Sequence, residues 1–314
     1  MNLTYQRYTF TIKVRDTINL PYYKGSTFRG GFGNAFRSVV CTLRKKECKD
    51  CMLCESCIYA YIFETSPVKN TEIMGMDKYK KIPHPFIIEP PDETRHTYNQ
   101  GERISFGLVL IGKAIDYLPY FIFTFDELGK RGLGRGRGKY QLINVGSEGE
   151  NIYSIEDKTI KANGPKTLDI PETCVFGDTP VTLTTLRLIT PVRISYQRNL
   201  VTDLQFHVLI RSLLRRINLL HYFHCEKSVL QWDHKKIIHE AEKVGIQGNA
   251  LRWWDWERYS SRQDIKMKMG GVVGEISYSG HIEPFLPILK AGEVLHIGKG
   301  TSFGLGKYRI VHSS

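Results

Sequence analysis

The chain has 314 residues, room for two domains of ordinary size, and 41% of them are hydrophobic, enough for packed cores. Lys and Arg number 44 against 32 Asp and Glu, a net charge of +12. That excess favours a polyanionic partner, nucleic acid or an anionic membrane surface. No apolar run is long enough to span a bilayer and no signal-peptide pattern follows Met1, so a cytoplasmic protein is expected.

The first half opens with a strand, Tyr8 to Val14, where apolar and polar residues alternate. A helix follows from about Ser26 to Val40. Its Phe28, Phe32 and Phe36 form one apolar stripe, and Arg29 and Arg37 share another flank. A cysteine-rich segment, 41–64, interrupts the plan. Strand-like runs return at "PFIIEP" (85–90) and "RISFGLVLIG" (103–112), and 116–130 reads as a helix. A glycine loop then leads into the strand "KYQLINV". Residues 147–179 read as a connector holding the hairpin "NIYSIEDKTIKA".

The second half begins near Val181. "VTLTTLRLITPVRISY" is one strand, or two broken near Pro191. The helix from about Asp203 to Leu220 carries Phe206, Leu209, Ile210, Leu213, Leu214, Ile217 and Leu220 at helical spacing. His207, Arg211 and Arg215 line another face, either a track for RNA or a solvated side. A tryptophan-rich stretch precedes the strand "GGVVGEISYSG". "EPFLPILKAG" gives a short helix with Gly292 as its stop. "EVLHIG" is a strand ending at His296, and a second glycine loop and "KYRIV" close the chain.

Both halves thus read βαββαβ. The fold class is α+β: two tandem ferredoxin-like domains, 1–146 and 180–314, with a cysteine-rich metal-binding insertion in the first. Each half writes Gly-Lys, a glycine loop, Gly-Lys-Tyr and a strand. Arg131, Arg135, Arg137 and Lys139 decorate the first loop, Lys299 and Lys307 the second. Such loops bring backbone N–H groups and cations to an anion. Neither is a P-loop, so a nucleotide cofactor is not expected.

The cysteines run Cys41, Cys48, Cys51, Cys54, Cys57. In a cytosolic chain this density reads as metal rather than disulfide. Four thiolates from Cys41, Cys48, Cys51 and Cys57 would hold a structural zinc, with Cys54 spare; an iron–sulfur cluster is the rival. Cys174 and Cys225 read as small buried hydrophobes. In "LRWWDWERYSSRQDIK", Trp253, Trp254 and Trp256 are assigned to packing. Arg258, Tyr259 and Arg262 are assigned to RNA. Lys45 and Lys46 extend the basic surface or solubilise it.

"GSTFRGGFGNAFRSVVC", the cysteines with "CIYAYIFE", "WDWERYSSRQ", and the run from Gly270 to Val311 together resemble the CRISPR precursor-RNA processing endoribonucleases of the RAMP superfamily. The resemblance covers almost the whole chain. It implies tandem ferredoxin-like domains with glycine loops. It also implies cleavage of a CRISPR repeat within a precursor RNA, without a catalytic metal. The 2′-hydroxyl would attack the adjacent phosphate, leaving 2′,3′-cyclic phosphate and 5′-hydroxyl ends. A base, a cation and an acid must serve that step.

Many relatives place a catalytic histidine near the first helix, but this chain has none between Met1 and Ile82. Tyr22, Tyr23, Lys24, Arg29 and Arg37 occupy that neighbourhood, and Tyr23 and Lys24 are candidates. His296, at the mouth of the second loop, is the first-choice histidine; a strand cap or a phosphate contact is its alternative. His221 is a further candidate, or a partly buried structural histidine. Two other functions stay open: a non-catalytic RNA-binding subunit of a CRISPR effector complex, and a zinc-stabilised DNA-binding protein.

Overall fold

Alternation in the first strand becomes burial. In β1 (Thr4–Val14), Gln6, Tyr8, Phe10, Ile12 and Val14 are buried, because successive side chains leave a strand on opposite faces. The computed structural model describes every residue except Met1, 44–46, 66–81, Ala162, Glu172, Asp178, Thr179, Val229, 261–264 and Ser314. The chain divides into two units. The N-terminal unit holds Leu3–Thr167 and Leu220–Lys227; the C-terminal unit holds Leu168–Leu219 and Ser228–Ser314.

The N-terminal unit continues with β2 (Ile18–Asn19), α1 (Gly25–Val40), β3 (Phe86–Glu89), β4 (Thr97–Tyr98), β5 (Arg103–Ile111), α2 (Leu118–Arg131), β6 (Tyr140–Ser147), β7 (Glu150–Ser154) and β8 (Lys166–Thr167). Its main sheet runs β3-β5-β1-β6-β7, all antiparallel, with β8 beside β1. Phenylalanines join the helices to one face of this sheet. Phe32 of α1 stacks on Phe121 of α2 at 4.9 Å, and Phe125 of α2 meets Phe10 of β1 at 5.1 Å and Phe106 of β5 at 4.8 Å. The stripe expected on α1 is therefore the seam between helix and sheet. Residues through Thr167, read from the sequence as the start of a connector, belong to this unit. β7 pairs with β6, and the expected hairpin shrinks to a Tyr153–Ile160 bridge.

The C-terminal unit contains β9 (Thr182–Val192), β10 (Ser195–Tyr196), β11 (Asn199–Leu200), α3 (Phe206–His224, in this unit to Leu219), α4 (His234–Glu242), β12 (Gly245–Asn249), β13 (Arg252–Trp254), β14 (Glu257–Ser260), β15 (Ile265–Lys268), β16 (Gly271–Gly280), α5 (Leu286–Leu295) and β17 (Tyr308–Ser313). Its sheet runs β12-β16-β9-β17, again antiparallel, with β13 pairing the other end of β16. Setting aside the added short strands, both sheets take their strands in the order second, third, first, fourth. Every apolar residue expected on the face of α3 is buried. β9 carries Pro191 within it, where the β16 register shifts and a missing N–H is tolerated.

Two sequence expectations fail here. Gly292 does not stop α5, which runs on to Leu295. A side chain at Gly292 would lie 2.1 Å from the Tyr308 hydroxyl and 2.6 Å from Leu213, so this glycine serves close packing. Consequently "EVLHIG" is not a strand, and His296 follows a helix. A run as short as Val294–Ile297, interrupted by His296, does not separate the two states by pattern. α4, polar on most of its surface, carries no strong sequence signal.

Candidate nucleic-acid interface

The first glycine loop connects α2 to β6. Leu133 N–H donates to Gly138 O (2.9 Å), closing the loop, and Arg135 N–H donates to Asn19 O on β2 (2.9 Å). Arg131, Arg135, Arg137 and Lys139 are all exposed. The strand that anchors the loop reaches one step further. Leu20 N–H donates to His96 O (2.8 Å), and Thr97 Oγ1 donates to Asn19 Oδ1 (3.0 Å). His96 Nδ1 lies 3.1 Å from Leu20 O. A carbonyl only accepts, so Nδ1 carries the proton and Nε2 is left with its lone pair. His96 is exposed, and so is Tyr22, at 53%, with the two rings 6.0 Å apart.

Lys24, at the start of α1, is 1% exposed and donates through Nζ to Glu93 O. Burial lowers its ammonium pKa, opposed by the carboxylates of Glu93 and Asp92. Tyr23 is buried too, which pushes its hydroxyl well above the ordinary value. Arg29 and Arg37, both half-buried, face rings: the Arg29 guanidinium lies 4.1 Å over Phe63, and that of Arg37 5.9 Å over Tyr59. Arg29 Nη2 is also 3.1 Å from His84 Nε2.

The second loop joins α5 to β17. Ile297 N–H donates to Gly306 O (2.9 Å), Gly306 N–H to Pro191 O (3.1 Å) and Lys299 N–H to Arg193 O (2.8 Å). Gly306 has φ +76°, and a Cβ there would fall 1.9 Å from Ile297 O, so only glycine closes this base. Lys299 is exposed and its Nζ donates to Ser195 Oγ (2.8 Å); Lys307 is half-buried, its N–H on Thr190 Oγ1 (2.9 Å). Arg193, not singled out in the sequence, flanks the loop and donates to Gly270 O. Burial lowers its pKa, against the pull of Asp255.

His296 lies beneath this loop with its ring 0% exposed. Its Nδ1 is 3.1 Å from Leu305 O, and its backbone, φ +56° and ψ 170°, is in a region otherwise kept for glycine. Arg216 of α3 reaches the preceding residue: Nε donates to Leu295 O (2.7 Å), while Nη2 has no hydrogen-bond partner. Burial brings the Arg216 pKa down to about 9. His221, 1% exposed, has Nε2 3.7 Å from a Glu226 carboxylate oxygen.

Arg211 and Arg215 lie exposed on α3, but Arg211 is paired with Glu242 of α4 at 3.0 Å. Arg258 and Tyr259 sit on β14, paired with Met267 and Lys266 of β15. Their side chains, and all of Arg262, Lys45 and Lys46, lie outside the described residues. Trp253, expected in the packing, is instead 38% exposed, its Nε1 donating to Asp255 Oδ1 (2.8 Å).

The five clustered cysteines are half-buried and free of disulfides. Burial first, then neighbouring carboxylates and thiols, push Cys48 up to about 11, and burial also raises Cys54. Among the described residues no three His, Cys, Asp or Glu side chains converge closely enough to hold a metal ion. The donor set suits zinc, but as placed Cys41, Cys48, Cys51 and Cys57 do not form a cage. No helix among the described residues is long and apolar enough to cross a membrane.

Comparison with known proteins places this architecture. Residues 3–165 match the AF_1859_N family of N-terminal domains, and residues 186–308 match the family of the CRISPR-associated endoribonuclease Cas6. An uncharacterized protein of Archaeoglobus fulgidus is 23% identical over 311 residues, 93% of each chain. Among solved structures, Thermus thermophilus Cas6 is similar with a TM-score of 0.54 at 13% identity, covering 99% of this chain and 100% of that one. A Cas6 product complex gives 0.56 at 14% identity, over 98% and 99%. A partial Cas6-RT-Cas1–Cas2 complex gives 0.58 at 14% identity over 99% of this chain, which spans 46% of that longer one. The N-terminal model covers just over half of the chain, so the chain belongs to the AF_1859_N family, and its fold is similar to that of the solved Cas6 structures.

Proposed function

We propose that the two units are tandem ferredoxin-like domains that bind CRISPR repeat RNA and cut the precursor at one phosphodiester bond. The observation that carries this reading is the pair of glycine corners. Each is pinned by its backbone to a neighbouring strand, and each shows exposed cations, Arg135 and Arg137 on one and Lys299 on the other. Fixed backbone N–H groups beside cations suit a phosphate chain, and the charge of +12 suits its approach.

The 2′-hydroxyl beside the scissile phosphate is the nucleophile. The O2′–P bond forms and the P–O5′ bond breaks, giving a 2′,3′-cyclic phosphate and a 5′-hydroxyl. No metal is required, because an imidazole serves the proton and guanidinium or ammonium groups the charge. The test is labelled repeat RNA incubated with the protein in excess EDTA. One cut ending in a cyclic phosphate, absent when the upstream 2′-hydroxyl is replaced by hydrogen, is the expected result. Tight binding with no cut between about pH 6 and 9 would refute it.

A second reading has an observation behind it. Tyr23, Lys24, His221 and His296, the four side chains chosen from the sequence as catalytic, are all buried. A chain whose proton-transfer groups never meet RNA would be an RNA-binding subunit. One similar structure is a Cas6 joined to RT and Cas1 with Cas2. Association of this chain with other CRISPR subunits is likewise a proposal, tested by co-purification.

A further inference from the structure

We propose that His96 is the catalytic base of RNA cleavage and that Tyr22 is the stacking platform beside it. The inference rests on the nuclease reading above and names a residue for it. Three observations converge on one edge of the N-terminal unit. His96 is an exposed residue, so a ribose can reach it. Its Nδ1–H is committed to Leu20 O at 3.1 Å, which fixes the tautomer and leaves Nε2 as the accepting atom. And the residue holding that carbonyl directly follows β2, the strand to which the first glycine loop is tied through Arg135 N–H and Asn19 O at 2.9 Å. The ring that would take a proton and the loop that would hold the phosphate are thus fixed to adjacent residues, Asn19 and Leu20.

Tyr22 adds the remaining part. A tyrosine 53% exposed, with its ring 6.0 Å from the imidazole, offers a face for the nucleobase next to the reacting phosphate. Lys24 cannot serve in that way, since it is buried and its Nζ is spent on Glu93 O. It anchors the turn that carries Tyr22.

In the step itself, Nε2 of neutral His96 takes the 2′-hydroxyl proton as O2′ bonds to phosphorus. The P–O5′ bond breaks, and O5′ takes a proton from water. The imidazolium then returns its proton to the resulting hydroxide, so charge and protons balance. Exposed Arg135 and Arg137 belong to the loop that would face the charged phosphorane.

The decisive variant is His96→Asn. Its amide N–H still reaches toward Leu20 O, so the turn is kept while the base is removed. Cleavage should fall by about 100-fold or more, with repeat-RNA affinity within about 2-fold of wild type. A repeat RNA carrying sulfur in place of the scissile O5′ separates base from acid. That better leaving group needs no acid, so it should remain as dependent on His96 as the natural substrate. Tyr22→Ala should weaken binding, and Tyr22→Phe, which keeps the ring face, should bind more tightly than Tyr22→Ala. Full-rate cleavage by His96→Asn would overturn the assignment while leaving the nuclease reading standing. Recovery of His96→Asn on the sulfur substrate would overturn the base role. A wild-type chain that binds the repeat and never cuts it would end the nuclease reading and this assignment together.

Discussion

Replacing Arg216 by Met should make the C-terminal unit more stable and its RNA binding weaker. Arg216 is 7% exposed, and among the described residues no carboxylate pairs with it. Burial takes its pKa from 12.5 to about 9. That displacement corresponds to a cost of about 5 kcal/mol for keeping the charge inside at neutral pH. The bond from Nε to Leu295 O offsets about 1.5–3 kcal/mol of it, as a hydrogen bond from a charged donor does. Met fills similar volume without the charge, so the variant should gain about 2 kcal/mol.

The pH dependence gives an independent reading. The folded chain holds this proton less tightly than the unfolded one, so the unfolded state binds more protons above the folded pKa. Wild-type stability therefore rises as pH passes through about 9. From about pH 8 to about pH 10 the wild type should gain about 1.4 kcal/mol relative to Arg216→Met. Urea unfolding followed by tryptophan fluorescence reports on the right unit, because all 4 tryptophans, Trp232, Trp253, Trp254 and Trp256, lie within it. Loss of the Leu295 anchor should at the same time raise the Kd for repeat RNA. A variant less stable than wild type at neutral pH, with the same alkaline slope, would refute the reasoning.

Three further outcomes are expected. His296→Gly frees a backbone that L side chains rarely adopt, so its urea midpoint should exceed that of His296→Ala by about 1 kcal/mol, with RNA affinity reduced in both. Gly306→Ala forces a Cβ to within 1.9 Å of Ile297 O and should cost more than about 2 kcal/mol, read in the same unfolding assay. For the cysteine segment we propose about one zinc per chain, held after the thiols of Cys41, Cys48, Cys51 and Cys57 close together. Elemental analysis checks it; absence of metal, with all 7 thiols open to a thiol reagent, would leave these cysteines as packing residues.

What the sequence made legible follows from periodicity. The phenylalanine stripe of α1 and the apolar face of α3 are read directly from spacing, because one pattern faces one core. The glycine corners were visible as a repeated phrase. The His96 arrangement was not, since it depends on a two-residue pairing between β2 and β4, with Ile18 opposite Tyr98 across 80 positions of chain. Short strands carry no periodic signal. Arg216 was hidden by its neighbour: in the pair Arg215–Arg216 one side chain is exposed and the other buried, 100° around the helix, and composition treats them alike. Gly292 misled because a glycine late in a helix reads as a stop, whereas here it admits the Tyr308 ring.

The two corners repeat a backbone plan but not its chemistry, and the difference lies in where the imidazole sits. In both, a ring Nδ1 is held at 3.1 Å by a carbonyl, Leu20 in one unit and Leu305 in the other. In the N-terminal unit that leaves an exposed histidine with Nε2 open to a ligand. In the C-terminal unit the same bond is made by a ring with 0% exposure, on a strained backbone, with a buried arginine bracing the residue before it. A proton cannot be exchanged with RNA by a ring that RNA does not touch. On the reading proposed above, the second corner therefore holds RNA and the first reacts. Kinetics should separate them: variants at His296 and Arg216 should act through KM with kcat preserved, and variants at His96 through kcat with KM preserved. A fall in kcat alone at His296 would reverse the assignment of the two corners.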